Sequence, residues 1–282
     1  MIHDLASKAS VFRGLHQRDG AFVIPNPWDA GTARILAALG FAALATSSAG
    51  LAFSLGRRDT ERAITRDEML ANAAAIADAT DLPVSADLEN GFGDEPEIVA
   101  ETIRLSARTG IVGASIEDAT GDRELPIYDF SLAVERICAA VEASRSLPFP
   151  FCLTARAENF QFDRPNLDDT IRRLQAFAEA GADVLYAPAL PSLEAIALVC
   201  ASVSKPVNVV MGLEGAWHSV DALAEVGVKR ISLGAALSRA ALGAFLRAAQ
   251  EIKEHGTFHF LADTAPFSEV SNYMRASAHR PG

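Results

Sequence analysis

Apolar and polar positions along this chain follow two periods. Short runs of β-branched and small apolar residues alternate with longer, alanine-rich stretches whose apolar positions recur at helical spacing. The first pattern is that of a strand buried on both faces of a parallel sheet, and the second that of an amphipathic helix packed on it. The runs predict strands at Ala21–Pro25, Ala42–Thr46, Val84–Asp87, Gly113–Ile116, Phe151–Ala155, Val184–Ala187, Val207–Val210 and Arg230–Leu233. Between them, helices are expected at Trp28–Leu39, Thr65–Ala79, Pro96–Thr109, Ser131–Ala143, Leu167–Ala180 and Ser192–Ser202.

The joints repeat one phrase. Gly40, Gly110, Gly181 and Gly227 each stand where a helical stretch ends and the next apolar run begins. Glycine takes the left-handed cap without steric cost, and a short return then feeds the next strand. Eight such units with no break in composition predict a single (β/α)₈ TIM barrel over 1–282, with a doubly wound open sheet as the alternative. After Gly234 a long helix is expected to about His255. The remainder, 256–282, reads as a helical extension whose segment Phe258–Met274 is apolar enough to pack on a neighbouring subunit.

Composition narrows the function. Half of the 282 residues are hydrophobic and the net charge is -11, with the acids spread along the chain. A basic footprint for nucleic acid or for an anionic membrane surface is missing, so neither partner is expected. Three cysteines, Cys138, Cys152 and Cys200, form no CxxC and no disulfide framework, and are expected as buried thiols. Nothing resembles a membrane span, and Met1–His16 has neither an apolar run nor a cleavage pattern, so a soluble, cytoplasmic protein is expected.

Parallel barrels collect their reactive groups where strands end. Applied here, the rule brings Asp87 and Glu89, after the third strand, beside Glu117, after the fourth, with Asp59 within reach from a loop. Acids crowded at one mouth repel unless a cation stands among them. Oxygen donors without histidine suit Mg²⁺ before Mn²⁺ and argue against zinc. Because Mg²⁺ retains water, Asp87 is expected as the direct ligand, with Glu89 and Glu117 holding metal-bound water. Arg156, ending the fifth strand, either neutralises these acids or captures a substrate carboxylate as a bidentate fork. Ser47 and Ser48 are either turn residues or, with Ala49 and Gly50, donors to a developing enolate oxygen. Asp94, ahead of Glu95-Pro96, reads as a helix N-cap, and Asp118 as a structural partner.

These same residues carry a family resemblance. Asn26-Pro27-Trp28-Asp29-Ala30, Thr46-Ser47-Ser48-Ala49-Gly50, Leu55-Gly56-Arg57-Arg58-Asp59, Asp87-Leu88-Glu89-Asn90-Gly91-Phe92-Gly93, Ser115-Ile116-Glu117-Asp118 and Ala155-Arg156-Ala157-Glu158 stand in an order and spacing that resembles the isocitrate lyase/phosphoenolpyruvate mutase superfamily, from about Phe22 to Leu237. The resemblance implies a Mg²⁺-dependent enzyme that passes through an enolate of a 2-oxo acid. It implies metal binding by Asp87, completed by Asp59, Glu89 and Glu117. It also implies that Ser48, Ala49, Gly50, Asp87 and Arg156 contact a small carboxylate substrate, with Asp59, Glu117 and Arg156 as catalytic candidates. A homo-oligomer, dimer or tetramer, with a swapped last barrel helix follows from the same resemblance.

Two departures bear on the reaction. Lyases of the superfamily carry Lys-Lys-Cys-Gly-His after the fourth strand, where this chain has Ala119-Thr120-Gly121-Asp122-Arg123-Glu124-Leu125-Pro126. Phosphonopyruvate-processing members carry a longer loop with Lys and end the sixth strand in His, whereas here it reads Tyr186-Ala187-Pro188. Three readings follow: a carbon–carbon lyase or decarboxylase, a C–P phosphonomutase or phosphonopyruvate hydrolase, and a 2-oxo-acid-binding protein of weak catalytic power. Arg123 and His218 are read as a solvated loop charge and a surface or capping group, and no residue is assigned as proton donor.

Overall fold

The computed structural model describes residues 2–59, 63–213 and 217–275. All eight expected strands form: β1 (Phe22–Ile24), β2 (Leu44–Ala45), β3 (Val84–Asp87), β4 (Gly113–Glu117), β5 (Cys152–Arg156), β6 (Val184–Tyr186), β7 (Val207–Val210) and β8 (Arg230–Ser232). Every pairing is parallel. The order β1-β8-β7-β6-β5-β4-β3-β2 runs round the circle in sequence, which is a (β/α)₈ barrel and excludes the doubly wound sheet.

The joint between β1 and β2 is the thinnest. There the Ala45 N–H donates to Pro25 O at 3.1 Å. The Asn26 side chain reinforces it, giving a hydrogen bond to Thr46 O (2.9 Å) and accepting one from the Leu233 N–H (2.8 Å). One buried amide thus ties the ends of three strands together.

The helices pack outside: α2 (Ala30–Ala38), α3 (Ser48–Ser54), α4 (Arg66–Asp78), α5 (Pro96–Ser106), α6 (Phe130–Arg145), α7 (Leu167–Ala180), α8 (Leu193–Ser202) and α9 (Val220–Glu225). α2 begins two residues later than its apolar pattern suggests, because Asp29 and Thr32 close a reciprocal capping box. At the end of α7, Gly181 sits at φ 107° and its N–H returns to Ala178 O, as the repeated joint predicts.

A helix not read from the sequence, α1 (Ile2–Gln17), closes the barrel where the strands begin. Ala9, Phe12, Leu15 and His16 make one buried face, hidden in the sequence among polar neighbours. Full burial of Phe12 alone contributes about 1.5–3 kcal/mol. It presses so closely on β4 that a Cβ at Gly113 would lie 3.0 Å from the Phe12 ring and 2.8 Å from Cys152 O. Gly113→Ala is therefore expected to lower stability in chemical denaturation by about 1–3 kcal/mol through overpacking.

The cysteines are half-buried rather than buried, and free. Among the described residues no helix is long and apolar enough to cross a membrane. The chain after β8 forms α10 (Ala236–His255), a 3₁₀ turn (His259–Asp263) and α11 (Phe267–Tyr273). Of the expected extension over 256–282, residues 276–282 lie outside the described ones. α11 returns to α2, where Arg34 donates to Met274 O at 3.3 Å. α10 is different, for of its residues only Ser238 is buried.

Candidate active site

A cavity of about 1170 Å³ opens at the ends of the strands, as the barrel rule predicts. Asp59, Asp87, Glu89, Glu117, Arg156, Ser48 and Ala49 all line it. Gly50 lies behind the wall, where its N–H is held by Ser47 Oγ at 3.1 Å and a Cβ would meet Trp28 at 3.0 Å. Of the three residues expected to face substrate at the start of α3, the geometry therefore brings Ser48 and Ala49 to the cavity.

Arg156 stands at the centre. β4 and β5 pair in register so that Glu117 lies opposite Arg156, and the guanidinium bonds Glu117 (3.0 Å), Asp87 (3.1 Å) and Glu158 (2.7 Å). It also lies 4.8 Å over the Tyr186 ring. Asp87 in turn accepts the Ser48 hydroxyl at 2.9 Å. Between the two roles left open by the sequence, the neutralising one is visible, and the guanidinium still lines the cavity.

One cation does not balance this cluster. Burial, opposed by Arg156, holds the Glu117 carboxyl well above the usual range. Burial and then the charges of Asp87 and Asp59 push Glu89 up to about 8. Three carboxylates (Asp87, Glu117, Glu158) thus bond a single guanidinium, and Glu89 lines the same cavity without an ion pair to it. The excess negative charge, and lining residues that include no histidine or cysteine, fit a hard divalent cation. Among the described residues no three such side chains form a ready-made cage. A cation here would lean on Asp87 and on water, which suits Mg²⁺.

Glu89 gives a measurable consequence. Its folded-state value lies above the ordinary 4.5, so between about 4.5 and about 8 the unfolded chain binds fewer protons. Stability of the metal-free protein is expected to fall by roughly 2–4 kcal/mol as pH rises through that window. Glu89→Gln should flatten the profile, as read by denaturant titration in EDTA.

The loop that carries Glu89 is forced into shape. Glu89 (φ 48°) and Phe92 (φ 66°) adopt left-handed backbone that non-glycine residues avoid. Buried Arg136 of α6 holds the turn by donating to the carbonyl oxygens of Asn90, Gly93 and Asp94, and it stacks 4.1 Å over Tyr128. Asp94 accepts the Tyr128 hydroxyl at 2.7 Å, and the N-cap of α5 is Glu95, one residue later than expected. Asp118 is the structural partner foreseen, taking the Glu158 N–H (2.8 Å) and Arg173 (3.0 Å). Burial pushes it up to about 7, against the pull of Arg173.

The loop after β4 folds on itself, with Ala119 bridging Ile127 and Thr120 N–H donating to Pro126 O. Arg123 and Glu124 are exposed on it and do not line the cavity. His218 likewise does not line the cavity. Tyr186, Glu158 and Arg230 are among the lining residues given no role from the sequence. Glu158 was detectable as an acid two places after Arg156, just past the end of β5 where reactive groups collect.

Residues 12–253 match the family model described as phosphoenolpyruvate phosphomutase. The crystal structure of a Burkholderia cenocepacia J2315 protein whose class is given only as lyase or mutase superposes with a TM-score of 0.95, at 58% identity over 98% of each chain. The 2-methylisocitrate lyase of Escherichia coli (strain K12) is 31% identical over 67% of this chain and 64% of its own. Oxaloacetate acetylhydrolase, solved with its product oxalate, superposes with a TM-score of 0.85 at 27% identity, over 95% of this chain and 94% of that one.

Proposed function

Because the chain belongs to the phosphoenolpyruvate phosphomutase family, within the isocitrate lyase/phosphoenolpyruvate mutase superfamily, and is an enzyme of carbon–carbon lyase type, we propose that it acts with Mg²⁺ on a small 2-oxo or 2-hydroxy dicarboxylic acid. The observation that carries this reading is the cluster of Asp87, Glu117 and Glu158 around Arg156 at the barrel mouth. Of the relatives named above, oxaloacetate acetylhydrolase is named for a 2-oxo dicarboxylic acid and holds its product oxalate, and 2-methylisocitrate lyase is named for a 2-hydroxy acid with three carboxylates.

Asp87 would hold the metal, with Glu89 and Glu117 on its water. When bound, Mg²⁺ supplies Lewis-acid polarisation of a substrate oxygen. Arg156, locked by three acids, presents its guanidinium to the substrate carboxylate without having to be ordered on binding. Ser48, bonded to Asp87, lies beside it on the same wall and offers its hydroxyl. Glu117, whose carboxyl burial holds above the usual range, and Asp59, on the loop between α3 and α4, are the groups we place to return and take the substrate's proton.

The test is a panel of 2-oxo and 2-hydroxy diacids, each with Mg²⁺ and with EDTA, products being followed by NMR. Cleavage of a carbon–carbon bond with Mg²⁺ alone is expected. Turnover confined to phosphonopyruvate, seen by ³¹P NMR, would replace this reading with C–P chemistry. Tight oxalate binding without turnover of any acid would leave a binding protein.

We also propose that the protein is a homo-oligomer, a dimer or tetramer, in the cytoplasm. Leu242, Phe245 and Leu246 of α10 are exposed, as are Phe258 and Leu261 after it and Phe267, at 90%. An apolar face of this extent is normally covered by a partner. Light scattering should give a multiple of 29.9 kDa, and Phe245→Asp with Leu246→Asp should reduce it to the single-chain mass.

A further inference from the structure

Behind the rim of acids the fold buries a guanidinium that the proposed chemistry leaves unused. Arg136 of α6 is 1% exposed and is the largest fully buried side chain among the described residues. A hydrocarbon side chain would fill the same space at less cost, because a buried guanidinium gives up its water. What Arg136 holds therefore explains its presence. One terminal nitrogen donates to the carbonyl oxygens of Gly93 (2.6 Å) and Asp94, and the other to that of Asn90. Neither Arg136 nor Tyr128, over whose ring it stacks, lines the cavity.

The turn so gripped is the one that carries Glu89. Four of its carbonyls are drawn to the helix side, since Thr102 of α5 takes that of Gly91 at 2.8 Å and Arg136 takes the other three. Side chains brace it further. Asn90 accepts the Phe92 N–H (2.9 Å) and donates to the Tyr128 hydroxyl (3.1 Å), which donates in turn to Asp94 (2.7 Å). Glu89 and Phe92 keep their left-handed backbone because these bonds over-determine it. At the front of the turn the Glu89 carbonyl accepts the Glu117 N–H at 3.0 Å, so one piece of backbone sets the two acids against each other. A planar fork of donors can fix several carbonyls of a turn at once, whereas an ammonium on a flexible stem cannot.

We propose that Arg136 is a positioning residue for the cation: through turn 90–94 it holds Glu89 where metal-bound water needs it, and so sets the affinity for Mg²⁺ without touching cation or substrate. This inference rests on the Mg²⁺ reading of the site and adds the residue that shapes it beforehand. Partners one bond removed from the ligands are worth about 10- to 100-fold in metal affinity.

Calorimetry at saturating oxalate measures Mg²⁺ affinity in the wild type, Arg136→Met, Arg136→Lys, Glu89→Gln and the double variant Arg136→Met with Glu89→Gln. Arg136→Met is expected to weaken Mg²⁺ binding by about 10- to 100-fold, and Arg136→Lys, a charge without the fork, to recover only part of that loss. Glu89→Gln should weaken it too. The double variant should then stay within about threefold of Glu89→Gln alone, because no carboxylate is left to aim. Damage spread through the fold would instead multiply the two losses. Hydrogen exchange on the metal-free protein gives a second readout: the amides of Gly91 and Phe92 should exchange faster in Arg136→Met while those of β5 stay protected. Tyr128→Phe, which removes only the hydroxyl between Asn90 and Asp94, serves if the arginine variants do not fold. It should lower Mg²⁺ affinity by about 3- to 10-fold, the worth of one hydrogen bond. Three results would overturn the proposal: unchanged Mg²⁺ affinity in Arg136→Met, or in Tyr128→Phe where it stands in; multiplied losses in the double variant; or a loss in Arg136→Met that Glu89→Gln does not share. Each of these leaves Mg²⁺ binding itself in place, whereas a wild type that binds no Mg²⁺ sinks the reading beneath.

Discussion

Asp87→Ala is expected to abolish Mg²⁺-dependent binding of oxalate and to lower kcat/KM on the cleaved diacid by at least about 10³-fold. That factor is about 4 kcal/mol of transition-state stabilisation, in the range a Lewis acid at a developing oxyanion supplies. Asp87 is the point where the elements of the site meet, joined to Ser48 on one side and to Arg156 on the other. The same change removes one of the charges that raise Glu89, so the metal-free variant should fold at least as stably as the wild type. Inactive but stable protein separates a lost ligand from a damaged fold. Calorimetry with Mg²⁺ and oxalate, beside a denaturation curve in EDTA, makes the check, and unchanged oxalate affinity would refute the assigned ligand.

Arg156→Ala should do the opposite, costing both activity and stability. Removing one partner of a buried ion pair leaves the other charge without compensation, at about 3–5 kcal/mol. Here Glu117 and fully buried Glu158 would be left, and burial already holds both above the ordinary 4.5. Without the guanidinium their folded-state values rise further, so the folded variant binds more protons than the unfolded chain above that value. Its stability is then lost as pH rises from about 4.5, and acid should restore it. Denaturation at pH 5 and pH 8 should show a variant close to wild type at the lower pH and well below it at the higher. Arg156→Lys is not a conservative change here, since an ammonium group cannot hold three carboxylates with one planar fork.

The strands and the rim of acids were readable because both are periodic signals. Each strand is a short apolar run, four of them entered through a glycine joint, and Asp87, Glu117 and Arg156 each fall at the end of one. What the sequence hid depends on which neighbours a side chain meets in space. Phe12 and Leu15 look like isolated apolar residues until α1 turns them onto the barrel's closed end. Arg230 reads as a charged strand terminus, and only the closed sheet places it beside Thr154, 76 residues away. That Arg156 neutralises the acids is one of two roles the sequence leaves open, and the pairing of β4 with β5 is what seats it among them. In the same way Asp94, beside Pro96, has the spacing of a cap, yet Tyr128 claims it from across the loop.

The edge between β1 and β2 is the most thinly bonded joint of the cylinder, where changes near Asn26 are expected to act first. Seven joints of the cylinder are ladders, while this one rests on the Ala45 amide and on Asn26. Thr46–Ala49 follow directly from it, so small spreading at this edge displaces the Ser48 wall relative to Arg156 while the ladders from β3 round to β8 stay shut. The aperture can thus adapt to bulkier acids by changes at a few residues near Asn26, without a redesign of the cylinder.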